Sequence, residues 1–319
     1  MHIHFVLPAN PNEFRNSPLA SERLRLRYVK EAAKQCGYTI TAGLSINYSA
    51  DIFFIGKITK DMNKQILYAI QKIKEKNKHI LVDYTDDILS SKLDKERKET
   101  YEELMKINSV FIVPVDGLSS KLEERGKKTF IIPDGIDNIT NIDPFNKNNK
   151  VINVLWNGHS SNINSLLRVI SKDLVNYDFN LHIVSNISSF KILKETRFKI
   201  MPKCKLIGHI WSIQKLQEVA KFCNFAILPS DKIWASANRL ATNFTLGLPV
   251  VAETISSYRP YLDYYCDFEK EAISDIFKSQ EKWHELVRKA QTQIKTDFSN
   301  ERIVNLWKSL LKNFDKKIF

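Results

Sequence analysis

NITNIDPFNKNNKVINVLWNGHSS, residues 138–161, divides the chain into two series of the same kind. Residues 138–150 are rich in Asn, hold one Pro and carry no apolar periodicity, which reads as a linker. VINVLWNG (151–158) then reads as a buried strand running through a glycine into a Ser/Asn helix start. On the N-terminal side the strand-like runs are HIHFVLPA (2–9), YTITAG, DIFFIG (51–56), HILVDY (79–84), SVFIVPV (109–115) and KTFIIPDGID (128–137). Helix-like stretches separate them: 21–36 ending at Gly37, a Lys-rich stretch near 60–77, another near 94–107, and 117–126. On the C-terminal side the series restarts with 151–158, FNLHIVSN (179–186), CKLIGHI (204–210), FAILPS (225–230) and PVVAET (249–254). Helices are expected over 162–175, 212–222 and 236–246, with one more between 186 and 204 and a last one from about Asn300. Short apolar strands alternating with helices predict parallel sheets covered on both faces. Two Rossmann-like domains, 1–145 and 150–300, with a final helix over 301–319, are the expected organisation.

Bulk composition is compatible with this. The 319 residues are 43% hydrophobic and 11% aromatic, which suits packed domains and excludes a disordered chain. No apolar run is long enough for a bilayer, and MHIHFVLPAN has neither the charged start nor the cleavage site of a signal peptide. The four cysteines, Cys36, Cys204, Cys223 and Cys266, are scattered, so neither a disulfide framework nor a metal cluster is expected and a cytoplasmic location fits. A formal charge of +12, from 48 Lys+Arg against 36 Asp+Glu, admits nucleic acid, an anionic membrane or a phosphorylated ligand. A Lys-rich solvated surface accounts for the same charge.

Ligands of open α/β sheets bind at the carboxyl ends of the strands, so the residues after each strand are the candidates. After the first strand, Ser21 is an N-cap candidate and Arg23 a charged one. After the strand at 79–84, Asp83, Asp86 and Asp87 crowd five positions, as helix caps, a cation site or partners of a polar ligand. Asn157, Gly158 and His159 follow the strand at 151–156, in a turn that tolerates an anion without any GxGxxG or GxxxxGK[ST] pattern. After FAILPS come Lys232, then Ser236, Asn238 and Arg239 at the start of the helix over 236–246. A phosphate there would meet helix N–H groups and side-chain donors together, whereas the plain alternative is a capped helix with Leu240, Phe244 and Leu246 in the core.

In order, IIPDGID (131–137), VLWNGHSSNINSL (154–166), LHIV (181–184), LIGHI (206–210), FAILPS and NRLATNFTLGLPVVAETISSYRP (238–260) resemble the GT-B glycosyltransferases, closest to the family-4-like group. SPLASERLRL (17–26) and ILVDYTDD (80–87) resemble that group's N-terminal loops. The resemblance covers nearly the whole chain. It implies an α/β fold of two Rossmann-like domains whose parallel sheets face across a cleft, with a C-terminal helix crossing back. It further implies a nucleotide-diphosphate sugar as donor on the C-terminal domain, near Asn157, Gly158, His209, Ile210, Lys232, Ser236, Asn238, Arg239 and Thr242. The acceptor, a saccharide or lipid-linked glycoconjugate, would lie near Ser21 and Arg23. No metal and no separate cofactor are implied. Retention of configuration is the expected outcome, and an inverting relative would take its base from Asp83, Asp86 or His159. The family's two glutamates, eight positions apart, correspond to Trp234 and Thr242. Their replacement keeps a binding protein without transfer activity as the alternative, and the charge keeps a nucleic-acid-modifying transferase as another. LWKSLLKNFDKKIF (306–319), with apolar residues at helical spacing among lysines, is expected either to dock on the first domain or to lie on an anionic membrane.

Overall fold

The structure is a computed structural model, which describes every residue except 8–10, 18, 60–61, 76–77, 91–94, 108, 138, 145–150, 173–177, 197–203, 269–275, 277–278 and 316–319. The chain forms two compact units. One comprises Met1–Gly135, Trp234–Ser236 and Phe298–Phe319; the other comprises Ile136–Ile233 and Ala237–Asp297. The ends of several expected elements, at 8–9, 60–61, 76–77, 94 and 173–175, lie outside the described residues, as does most of the stretch read as a linker.

The first unit holds β1 (His2–Phe5), β2 (Thr39–Ala42), β3 (Ile52–Ile55), β4 (His79–Asp83), β5 (Ser109–Val113) and β6 (Lys128–Ile131). They form one parallel sheet in the order β2-β1-β3-β4-β5-β6. Every residue of β3 and β5 is buried, as expected of central strands covered on both sides. Its helices are α1 (Arg27–Gln35), α2 (Asn63–Lys74), α3 (Lys95–Met105) and α4 (Asp116–Glu123). The helix expected over 21–36 is in two parts, a π-helical turn at Glu22–Leu26 and then α1, closed by Gly37 at φ 72°.

The second unit repeats the design with β7 (Ile152–Asn157), β8 (Phe179–Ser185), β9 (Cys204–Ile210), β10 (Phe225–Leu228), β11 (Val250–Ala252) and β12 (Cys266–Asp267). The order is β12-β11-β10-β7-β8-β9, all parallel, so the winding reverses between β7 and β10. That reversal is the crevice where open α/β sheets bind ligands. Helices α5 (Ile163–Lys172), α6 (Ile187–Thr196), α7 (Ile213–Ala220), α8 (Asn238–Thr245) and α9 (Gln280–Asp297) flank the sheet. α9 lies beyond the elements read from the sequence and buries Trp283, Val287, Ala290, Gln291 and Ile294 at helical spacing.

Helix α10 (Asn300–Asp315) belongs to the first unit. Trp307, Leu310, Leu311 and Phe314 enter the core that also holds Phe5, Phe54 and Ile112. Leu310 and Phe314 are only 2% and 4% exposed, so this stripe is occupied by protein and is not offered to lipid. Lys316 and Lys317 lie outside the described residues. Among the described residues no helix is long and apolar enough to cross a membrane.

Gly247 ends α8 in a left-handed conformation, φ 73°. Its N–H bonds the carbonyl of Phe244 and that of Leu248 reaches Asn243, a double closure of the helix end. Ile142 donates its N–H to Thr245 O, and its carbonyl accepts from Gln291 Nε2. The described part of the expected linker is therefore tied down, because its apolar residues Ile139 and Ile142 find a core and its backbone finds the open carbonyls of α8. A Cβ on Gly247 would fall 2.4 Å from Ile142 O. Gly247→Ala should destabilise the second unit by about 2 kcal/mol or more, the left-handed penalty plus that clash. A denaturation curve indistinguishable from wild type would contradict this account of the corner.

Candidate functional site: the start of α8 at the β7/β10 crossing

β7 is buried along Val154, Leu155 and Trp156 and delivers Asn157 and Gly158 to the switch point. Asn157 Oδ1 accepts a 3.0 Å hydrogen bond from Asn243 Nδ2, which also donates to the carbonyl of Arg239 at 2.9 Å. One fully buried amide thus fastens the end of β7 to the first turn of α8. The turn itself is held from behind. Gly158 N–H donates to Val184 O, Ser185 Oγ donates to Gly158 O, and Ser160 N–H donates to Asn186 Oδ1. A Cβ on Gly158 would sit 2.7 Å from Trp156 Cζ2 and 3.3 Å from Arg239 Nη1. Glycine is required because the indole and the guanidinium both press against the backbone there.

Arg239 is the cation of this cluster. Its Nη1 is buried without a hydrogen-bond partner, and so are Trp156 Nε1, Asn243 Oδ1 and the Tyr258 hydroxyl. Burial pushes the Tyr258 phenol upward against the pull of Arg239, so it stays a neutral donor at physiological pH. Orphaned buried polar atoms are expensive, and their concentration beside a helix start, three donors and the acceptor Asn243 Oδ1, is the mark of a site prepared for a polar ligand. The N-cap of α8 is Ala237, which supplies no side-chain cap, rather than Ser236. Its first-turn N–H groups and the positive end of the helix dipole lie in the same turn of the chain as Arg239. A cation, a helix start and neutral donors can together hold a tetrahedral oxyanion.

The remaining sequence candidates fall in several places. Asn238 occupies the first turn of α8, while Thr242 is buried in its middle. Lys232 is exposed on a loop pinned by Glu253, which accepts from Ser230 N–H at 2.6 Å and pairs with Arg168. His159 is exposed, and its Nδ1 caps a short 3₁₀ turn by accepting from Ser161 N–H. His209 lies on β9, paired with His182, and Ile210 is 59% exposed beside it. Ser236 belongs to the first unit, along with Trp234. The Trp234 ring lies against Gly117, where a Cβ would be 1.9 Å away, and beneath the ammonium of Lys121. Trp234, which the sequence resemblance sets against a glutamate, is thus packed against the first unit's core.

In the first unit Asp83 is fully enclosed and bonded to Arg25, so the geometry casts it as a buried counter-ion and not as a base within reach of substrate. Asp86 pairs with Lys57 at 2.6 Å and Asp87 with Lys121. Ser21 has helical dihedrals and makes no side-chain cap bond. Arg23 is 4% exposed, and its Nη1 donates to the carbonyl of Ser17. Sequence reading missed Asn243, Trp156 and Tyr258. Asn243 had a usable signal, an amide one turn beyond Arg239 on the same helix face.

No protein-family model matches the sequence, and no curated protein does. Solved structures do. The Anabaena protein HepE, solved with UDP-glucose, is 13% identical over 98% of this chain and 100% of its own, with a TM-score of 0.63. A sucrose-phosphate synthase from Thermosynechococcus elongatus is 12% identical, covers 99% of both chains and gives 0.66. A glycosyltransferase from Rickettsia africae is 15% identical over 98% of this chain and 99% of its own, at 0.56. At these identities the likeness is one of architecture, and it is complete along the chain: two parallel α/β units in the GT-B fold.

Proposed function

We propose that the chain is a glycosyltransferase whose donor is a nucleoside-diphosphate sugar, with a saccharide or glycoconjugate as acceptor. The observation that carries this reading is the cluster at the start of α8, where Arg239 meets the Asn157–Gly158 turn and three buried polar groups lack partners. The fold supports it, since HepE has been solved with UDP-glucose, with UDP and glucose, and with UDP. In the reaction, the bond between the sugar C1 and the diphosphate oxygen breaks as the acceptor hydroxyl oxygen bonds to C1. The hydroxyl proton passes to the departing phosphate on the same face, so configuration is retained and no protein base is required. Arg239 and the α8 dipole stabilise the charge that grows on the leaving group, a role that a metal ion need not fill.

A thermal-shift screen across UDP, GDP, ADP, TDP and CMP, followed by turnover of the matching sugar nucleotide, tests the reading. A diphosphate at a hundredfold excess over its Kd should stabilise the protein by about 2.7 kcal/mol. Absence of a shift with every nucleotide would sink the proposal. Binding without turnover would favour the phospho-ligand protein that Trp234 and Thr242, in place of glutamates, also allow. If the acceptor is lipid-linked, the outward Lys64 and Tyr68 of α2 are the surface to test, by sedimentation with anionic vesicles at low salt.

A further inference from the structure

Four side chains on the second sheet form a hydrogen-bond chain whose direction is fixed. Asn153 Nδ2 donates to the carbonyl of Val151, which can only accept, and this orients the amide. Asn153 Oδ1 then faces Asn180 Nδ2 at 2.9 Å and His182 Nε2 at 3.1 Å. An amide oxygen cannot donate, so His182 carries its proton on Nε2 and leaves Nδ1 as a lone pair. That lone pair is 3.2 Å from His209 Nε2. The two rings lie 5° from parallel with centroids 5.5 Å apart, which places the bonded nitrogens between the ring centres, edge to edge. His209 is therefore the Nε2–H tautomer, and its Nδ1 is an acceptor. Among the described residues nothing bonds that Nδ1, and it is not enclosed.

His209 stands one residue from the end of β9 and pairs in register with Val184, whose carbonyl takes the Gly158 N–H. β9 is two strands from β7, about 10 Å across the sheet. A ligand whose phosphates sit at Arg239 has its nucleoside end to place along these strand termini.

We infer that His209 Nδ1 is the acceptor for a ring N–H of the nucleobase, the imide N–H of uracil, and that His182 is the positioning residue that sets its tautomer. The inference rests on the donor reading above. Burial lowers both imidazoles, His209 further through Lys215 and against the opposing pull of Glu218, and His182 further through His209. The relay is neutral at pH 7.5. A second proton entering below pH 6.5 turns Nδ1 into a donor facing another donor.

Calorimetric titration with UDP, N3-methyl-UDP and pyrophosphate tests this on wild type, His209→Leu, His209→Asn and His182→Leu. Expected at pH 7.5 is an approximately tenfold loss of UDP affinity in His209→Leu, about one hydrogen bond, with pyrophosphate unchanged. His209→Asn, which keeps an acceptor, should recover most of it. N3-methyl-UDP should bind wild type as weakly as UDP binds His209→Leu. His182→Leu should weaken UDP partially, and wild type should lose more UDP affinity than His209→Leu between pH 7.5 and 5.5. Equal UDP affinity in wild type and His209→Leu, or no penalty for the methyl group, overturns the inference. UDP binding no tighter than pyrophosphate also overturns it and leaves the anion site standing. Failure of wild type to bind either ligand removes the donor reading itself.

Discussion

Arg239→Ala should lower turnover of the sugar nucleotide by about 10²–10³-fold, the range seen when one preorganised donor to a developing anion is lost. The same change should leave thermal stability unaltered or slightly raised. Arg239 makes no ion pair with a carboxylate among the described residues, and its Nη1 is buried with no partner. Removing it relieves an unsatisfied donor, while Leu240 and Phe244 keep α8 in the core. Loss of function without loss of stability is the signature of a group kept for a ligand and not for the fold. Arg239→Lys should recover little, because a compact ammonium cannot span the donors of a planar fork. The expected result is read from kcat/KM beside a denaturation curve. Unchanged kcat/KM would move the anion site elsewhere, whereas parallel losses of kcat/KM and stability would make Arg239 structural.

The architecture was legible because parallel strands buried on both faces write themselves as short apolar runs. VLW in β7 and FAIL in β10 are uninterrupted for that reason, and the helices between them carry one apolar stripe each. α9 carries the same stripe from Trp283 to Ile294 behind the N-cap candidate Ser279, signals that are present in the sequence but that sequence reading missed as a helix. The site was legible only in part. Strand ends mark Asn157, Gly158 and Arg239, since topology alone sends ligands there. Pairings across the chain leave no such mark. Nothing local shows that Asp83 meets Arg25, 58 residues away, or that His182 meets His209. Three residues at 234–236 leave one unit for the other, which no periodicity announces. Nor does the sequence near Trp234 show that its ring packs on Gly117, 117 residues away.

Arg25→Met should cost the first unit about 3–5 kcal/mol at pH 7.5, as expected when one partner of a buried ionic group is deleted. At about 2–4 °C per kcal/mol for a unit of this size, the transition should fall by roughly 10 °C. Arg25 is 1% exposed, donates to Asp83 at 2.5 Å, to Asp134 at 2.8 Å and to the carbonyl of Ile132, and lies 5.5 Å over Trp307. One guanidinium thereby ties β4, the segment after β6 and α10 together. Methionine fills similar space but leaves Asp83 sealed from water with Asp134 nearby. Burial already pushes the Asp83 carboxyl from 3.8 up to about 6, even with the guanidinium beside it. Without that cation its value rises further. A carboxyl raised on folding adds stability that is complete below its unfolded value and is lost as pH rises through the folded one. The deficit of Arg25→Met should therefore be largest at alkaline pH and shrink steadily toward pH 4.5. Asp83→Asn added to Arg25→Met should recover about half of it at pH 7.5 and flatten the pH dependence, because the stranded charge is gone. Urea denaturation of the three proteins between pH 4.5 and 8.5 measures both effects. A deficit that grows on acidification would show that Asp83 is not the stranded group, and an Arg25→Met protein as stable as wild type would remove the ion pair from any part in holding this unit together.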